Sequence, residues 1–466
     1  MKWSRNLGAV GALALTISLL PAQQGAVNPR VREVVDAVSE SRIEATIRKL
    51  ESFGTRNTMS SQEDPERGIG AARKWLVKEL QSYSPRLQVR ADLYKVKKKD
   101  ERLFRDVDLY NVVAVLPGKV SPETQILVTA HYDSLNLVPL PGSKPGGVPV
   151  SIGERTVQYD WQKVDVPAPG ACDDGSGTAV VMELARVMSH YDFDKTLVFV
   201  AFAGEEQALA GSTLHAARAR REHQAVEAVL NNDIVGTEVS GNGRGNGSTV
   251  NLYAGDAMDS GSQALARYAR TIAVRYMPGI QLNVVFQQVR LARGGDHTPF
   301  QLEGFAAVRV STPSENYANQ HSATDLLANM SVPYTARVAR VNAAVAASLA
   351  LAPRPPIVVT EAKAGALKGR MVPMITRGKT RYDAQLRWKS EPAEADLLGY
   401  AVVVRTTTSP WWEQEIFVGS STEFTLKDVS IDDARFGVKA IDREGNESLV
   451  STYVFPPRER REIETY

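Results

Sequence analysis

The chain has 466 residues, enough for one large domain and a small one, and its 43% hydrophobic and 23% charged residues are those of an ordinary globular protein. A formal net charge of +2 argues against a broad nucleic-acid-binding surface. With one cysteine, Cys172, no internal disulfide can form, so stability has to come from burial of a core.

Lys2 and Arg5 precede an almost wholly apolar run from Leu7 to Leu20, followed by Pro21-Ala22 and small or polar residues. This order predicts a signal peptide over residues 1–27 and an exported protein, periplasmic or extracellular. The apolar run is short for a membrane span, and no later stretch is apolar enough to cross a bilayer, so the mature chain is expected to lack a span.

Val31, Val34, Val35, Val38, Ile43, Ile47 and Leu50 recur at helical spacing and predict helix between Pro29 and Phe53. Ala72, Trp75, Leu76 and Leu80 predict another from Ile69 to Tyr83. Apolar strands are expected at 111–116, 126–130, 196–202, 250–254 and 306–310, alternating with helices at 177–189 and 211–221 and a helix ending near Leu351. Continuous apolar strands interleaved with helices imply an α/β fold, a mostly parallel mixed sheet sandwiched by helices. Residues 136–170, rich in Pro, Gly and Val, are long for a simple connection and read as an inserted loop or lid.

The texture changes at the Pro-rich linker 353–356, so residues 28–352 read as the large domain. Beyond the linker, short alternating strands at 385–388, 400–405, 423–426 and 436–440 predict a small all-β sandwich over 357–457, followed by a charged tail at 458–466.

Acidic and histidine residues gather where strands are expected to end, the edge at which open α/β sheets bind ligands. His131 and Asp133 follow the strand 126–130, and Asp173-Asp174 opens a helix. Glu205-Glu206 follows the strand 196–202, Asp233 closes the run Ala228–Asn232, and His321 stands further on. Such a set has the ingredients of a two-metal hydrolytic site. Zinc binds imidazole nitrogen and carboxylate oxygen, and two metals about 3.5–4 Å apart need one bridging carboxylate with one or two private ligands each. A further carboxylate can move the proton of the attacking water, and adjacent glutamates suit that division of labour. Asp133, two residues past His131, is placed to orient its ring.

The segments Val128-Thr129-Ala130-His131-Tyr132-Asp133, Gly170-Ala171-Cys172-Asp173-Asp174-Gly175-Ser176-Gly177 and Phe202-Ala203-Gly204-Glu205-Glu206 occur in order. They are followed by Asn232-Asp233-Ile234-Val235-Gly236, Gly295-Asp296-His297-Thr298-Pro299-Phe300 and Gln320-His321. Together they resemble the co-catalytic zinc aminopeptidases of the MH clan, which have the zinc exopeptidase fold. The resemblance implies two Zn2+ per chain, with Asp173 bridging, Glu206 and His321 completing one site, and His131 and Asp233 completing the other. It further implies Glu205 as general base, peptides with a free N-terminus as substrates, and Asp296 and His297 as residues lining the site without binding metal.

Two positions depart from the pattern. Gln320 stands where some relatives carry an oxyanion-stabilising Tyr, leaving Tyr317 as the nearest candidate. Cys172 replaces a common Asp or Asn and reads as a buried neighbour of the bridging carboxylate. His190, His215 and His223 carry no site signal; His190 and His215 are expected at the surface. Arg293, before Gly294-Gly295, reads equally as a substrate contact or as plain loop.

The C-terminal segment resembles a fibronectin type III module that could contact a cell surface or polymer, with Trp411-Trp412 as a contact point or as packing. The alternatives on this fold are carboxypeptidase or glutaminyl cyclase chemistry and a non-catalytic binding protein.

Overall fold

A computed structural model describes residues 27–141, 158–255, 257–287, 294–362, 369–390 and 395–455. The leader up to residue 26, the charged tail, Arg293 and residues 142–157 of the expected lid lie outside this set. Among the described residues no helix is long and apolar enough to cross a membrane.

The chain opens with helices α1 (Pro29–Asp36), α2 (Glu40–Glu51) and α3 (Gly68–Tyr83). The single helical stretch expected from Pro29 to Phe53 is two helices. Ala37 caps α1, and the Ser39 side chain accepts from Arg42 N at the start of α2, while Ser39 N donates to Glu183 Oε1 at 2.7 Å. Local capping breaks a hydrophobic pattern that continues across the gap.

The strands and remaining helices of the large domain follow in order: β1 (Gln88–Val96), β2 (Val107–Leu116), β3 (Ser121–His131), α4 (Ser176–Met188), β4 (Lys195–Phe202), α5 (Ala210–Arg221) and β5 (Ala225–Asn232). Then come β6 (Thr249–Tyr253), α6 (Gly261–Tyr276), β7 (Gln281–Val285), α7 (His297–Leu302), β8 (Ala307–Ser311) and α8 (Val332–Leu351). The eight strands form one mixed sheet in the order β1-β2-β4-β3-β5-β8-β6-β7. Its centre, β4-β3-β5-β8, is parallel, while β1, β2 and β6 join by antiparallel pairs. The central strands therefore end on the same edge.

Successive residues of these strands feed opposite cores, which is why they read as uninterrupted apolar runs. Ile126, Val128, Leu197, Phe199, Leu230 and Val308 join the larger core under α1–α4, α6 and α8, whereas Leu127, Val198, Phe202, Val229 and Ala307 face α5 and α7. His215 belongs to this second core. It is 5% exposed, with its ring 5.6 Å from Phe202 and 6.1 Å from Phe300, which corrects its expected surface position. The Arg-rich sequence of α5 hides an inward face of small residues that admits the ring.

Past α8 the chain forms β9 (Ile357–Val358), β10 (Thr360–Ala362), β11 (Met371–Pro373), β12 (Ile375–Thr376), β13 (Ala384–Lys389) and β14 (Leu397–Thr406). It closes with β15 (Gln414–Gly419), β16 (Glu423–Leu426), β17 (Ala434–Asp442) and β18 (Ser451–Thr452). These pair antiparallel in separate sheets around a core of Leu386, Trp388, Tyr400, Val402, Phe436 and Val438. Trp411 and Trp412 pack back onto the large domain: Trp411 lies 5.9 Å from Phe286, and the Arg267 guanidinium stands 5.7 Å from the Trp412 ring.

Candidate metal centre

Each predicted site residue arrives at the carboxyl edge of the central strands. His131 ends β3, Glu205-Glu206 lies just past β4, and Asp233 just past β5. Asp173 sits in the tight segment Ala171–Gly175 that opens α4, and His321 stands in the loop between β8 and α8. Between them, Asp173 meets both imidazoles: His131 Nε2 is 3.2 Å from its Oδ1 and His321 Nε2 is 3.0 Å from its Oδ2. Glu206 Oε1 lies 3.1 Å from the same His321 nitrogen. Donor atoms that could hold a metal fall in two groups, His131 with Glu205 and Asp233, and Asp173 with Glu206 and His321, each within 4.8 Å.

This donor set fits divalent metal. Among the described residues, neither His131 Nε2 nor Glu206 Oε1 has a hydrogen-bond partner, although both atoms are buried. Burial pushes the Glu205 carboxyl well above the usual range; His131 opposes that, and Glu206, Asp233 and Asp296 reinforce it. Burial would depress His131, yet the Asp133 and Asp173 carboxylates drive it well above an ordinary histidine. So much facing negative charge in a dry cleft requires protons or cations, and the imidazole and carboxylate donors are those that zinc takes.

The supporting residues are as ordered as the donors. Asp133, fully buried, takes the Glu205 and Glu206 backbone N–H groups at 3.3 Å each and stands 3.5 Å from His131 Nδ1. Asp174 braces the turn that opens α4, accepting from Gly177 N at 2.9 Å and from Ile234 N at 3.2 Å. Cys172 is buried beside Asp173, its thiol pushed well up by burial, which suits packing and not nucleophilic attack. Gln320 Nε2 donates to Asp173 Oδ2 at 2.8 Å, whereas Tyr317 is 54% exposed. Asp296 is buried with its carboxyl raised to about 7, mainly by burial, and His297 is buried next to it.

Three residues absent from the sequence reading complete the centre. Arg56 is fully buried and donates to the carbonyls of Leu50, Tyr132, Pro169 and Gly170, tying the lid's end to β3. Asp325 accepts from Cys172 N and Asp173 N, both at 2.9 Å, and holds the Asp173 segment. Arg309 Nη2 donates to Asp233 Oδ1 at 2.9 Å. Arg309 left a signal, a charge inside the apolar strand 306–310, but Arg56 and Asp325 lie in loops with no pattern to mark them.

A mixed α/β sheet that presents paired imidazole and carboxylate groups at one edge defines a protein built to bind divalent metal. Its fold resembles LapB of Legionella pneumophila, with TM-score 0.51 and 20% identity over 69% of this chain and 75% of that one. It equally resembles a glutaminyl cyclase of Macrostomum lignano, with TM-score 0.50 and 16% identity over 69% and 92% of the two chains. The model of Peptidase family M28 matches residues 111–346, a span that includes every candidate ligand, and the chain belongs to that family. Similar proteins include a probable zinc metalloprotease of Leptosphaeria maculans, 33% identical over 91% of this chain and 97% of the relative. Another, from Pyricularia oryzae, is 34% identical over 90% and 83% of the two chains.

Proposed function

We propose that the chain is an exported zinc exopeptidase that removes N-terminal residues from peptides and holds two zinc ions. The observation that carries this reading is the place of Asp173 between two imidazoles, one facing each of its oxygens. A carboxylate so placed can serve two cations at once. Glu206 and His321 would hold one ion, and His131 and Asp233 the other. Bound zinc would supply Lewis acidity, lowering the pKa of water and polarising the scissile carbonyl.

The chain's own residues do the rest. Glu205, half-buried with its backbone N–H pinned by Asp133, takes the proton of the attacking water on its carboxylate and returns it to the leaving amine. Asp133 directs His131 Nδ1 and leaves Nε2 for metal. Asp325 and Gln320 hold Asp173 from two sides. Export rests on the composition of the leader, and the C-terminal sheets provide a surface for contact with a cell surface or polymer.

The test is turnover of aminoacyl anilides by purified protein with zinc, with a chelator, and for Glu205→Gln. Turnover should vanish in chelator and fall about 10²–10⁴-fold in Glu205→Gln while metal content is unchanged. One tightly held ion together with cyclisation of N-terminal glutamine would replace this reading with the cyclase chemistry found on the same fold. Release of C-terminal residues would replace it with a carboxypeptidase.

A further inference from the structure

We propose that Arg309 is a positioning residue for the Asp233 half of the centre, clamping one oxygen of Asp233 so that the other is presented to a divalent metal ion. The proposal rests on the two-metal reading. Arg309 lies in β8 between Val308 and Val310, which are buried in the main core, and is itself 3% exposed. A guanidinium at such a place is unfavourable unless it is paired and hydrogen-bonded. Its pairing is specific: Nη2 donates to Asp233 Oδ1 at 2.9 Å, and Nη1 donates to Gly294 O at 2.5 Å. One planar fork thus joins the end of β5 to the segment that leads into Asp296.

The second oxygen of Asp233 is shaped by the same segment. A Cβ added to Gly295 would lie 2.8 Å from Asp233 Oδ2 and 3.3 Å from Arg309 Cδ. Glycine therefore leaves Oδ2 its place, while the Arg309 fork prevents the carboxylate from turning. The His131 imidazole and the Glu205 carboxylate each bring a donor atom within 4.8 Å of an Asp233 oxygen. A carboxylate held this way is a one-oxygen ligand of fixed direction. Lysine could supply the charge at this position but not the two-point fork.

The test is metal binding by the full-length chain, read as zinc titrated calorimetrically into chelator-stripped protein and as metal content after dialysis. Wild type, Arg309→Lys, Arg309→Met and Gly295→Ala are compared. Wild type should take two ions. Arg309→Met should take the first within about twofold of wild type and the second about 10–100-fold more weakly. Arg309→Lys should recover part of that loss. Gly295→Ala, which crowds Oδ2 and leaves Arg309 in place, should weaken the same ion. Second-ion affinity within about twofold of wild type in Arg309→Met overturns the proposal. Equal weakening of both ions together with a lower melting temperature also overturns it, since Arg309 would then serve only the fold. A wild type that takes fewer than two ions overturns the two-metal reading and this proposal with it, whereas Arg309→Met holding both ions tightly sinks the proposal alone.

Discussion

The Asp133 carboxylate stands 3.5 Å from His131 Nδ1, and the same buried group receives the backbone N–H of both Glu205 and Glu206. A single side chain thus fixes the ring that ends β3 relative to the glutamates that follow β4. Thr58 adds its hydroxyl at 3.1 Å and also accepts from Gly204 N, so the loop after α2 braces the junction.

Asp133→Asn keeps the shape and removes the charge. An outer partner of a ligating histidine is worth about 10–100-fold in metal affinity or activity. The variant should lose that much in zinc affinity or in kcat/KM. A loss below about twofold would mean that other contacts orient His131.

Stripping the metal should destabilise the fold, because it leaves facing carboxylates in a dry cleft. An ion present at about a thousand times its Kd stabilises by about 4 kcal/mol per site, provided the unfolded chain does not bind it. Calorimetry with and without chelator measures the effect. A melting temperature indifferent to zinc would argue against metal at either cluster.

His215 makes stability depend on pH. Burial in the α5–α7 core, with a smaller contribution from Arg218, lowers it from 6.5 to about 4. The folded chain holds the ring neutral, while the unfolded chain takes up a proton as pH falls through 6.5. The stabilisation is therefore complete above the unfolded pKa and is lost as pH falls toward the folded one, by about 3 kcal/mol in all. His215→Leu should flatten the denaturation midpoint across that window. A variant with the same slope as wild type would place the pH sensitivity elsewhere.

The C-terminal sheets are joined to the large domain by buried charge. Arg405 Nη2 donates to both Asp259 oxygens, at 2.6 and 2.8 Å, and Arg267 Nη1 lies 3.2 Å from the same carboxylate. Arg405→Ala should lower stability by about 3 kcal/mol, as for other broken buried pairs, measured by denaturant titration. Truncation after Pro356 would strip cover from Asp259, Arg267 and Phe286, so the truncated chain should melt lower. Melting like the full chain would show a detachable unit.

The motif residues were legible because each stands at a strand end or turn, where a buried strand gives way to polar groups. The helices α3–α5 fell within one residue of the expected ends, whereas the break between α1 and α2 was not foreseen. The edge strands β1 and β7 escaped, since residues such as Gln88 and Arg90 or Gln281 are exposed and dilute the pattern. His215 was misread for the opposite reason, as a polar ring among arginines that turns inward.

The sequence by itself determined the kinds and order of the donors, the alternation of buried strands with helices, and the change of texture at residues 353–356. Only the tertiary structure decided which donors face each other. Asp173 and Gln320, 147 positions apart, meet because parallel strands bring their carboxyl ends to one edge. The fork of Arg309 on Asp233 and the grip of Asp133 on two strand ends depend on the same alignment. Their interactions act over about 3 Å, a distance that chain order leaves open until the sheet has formed.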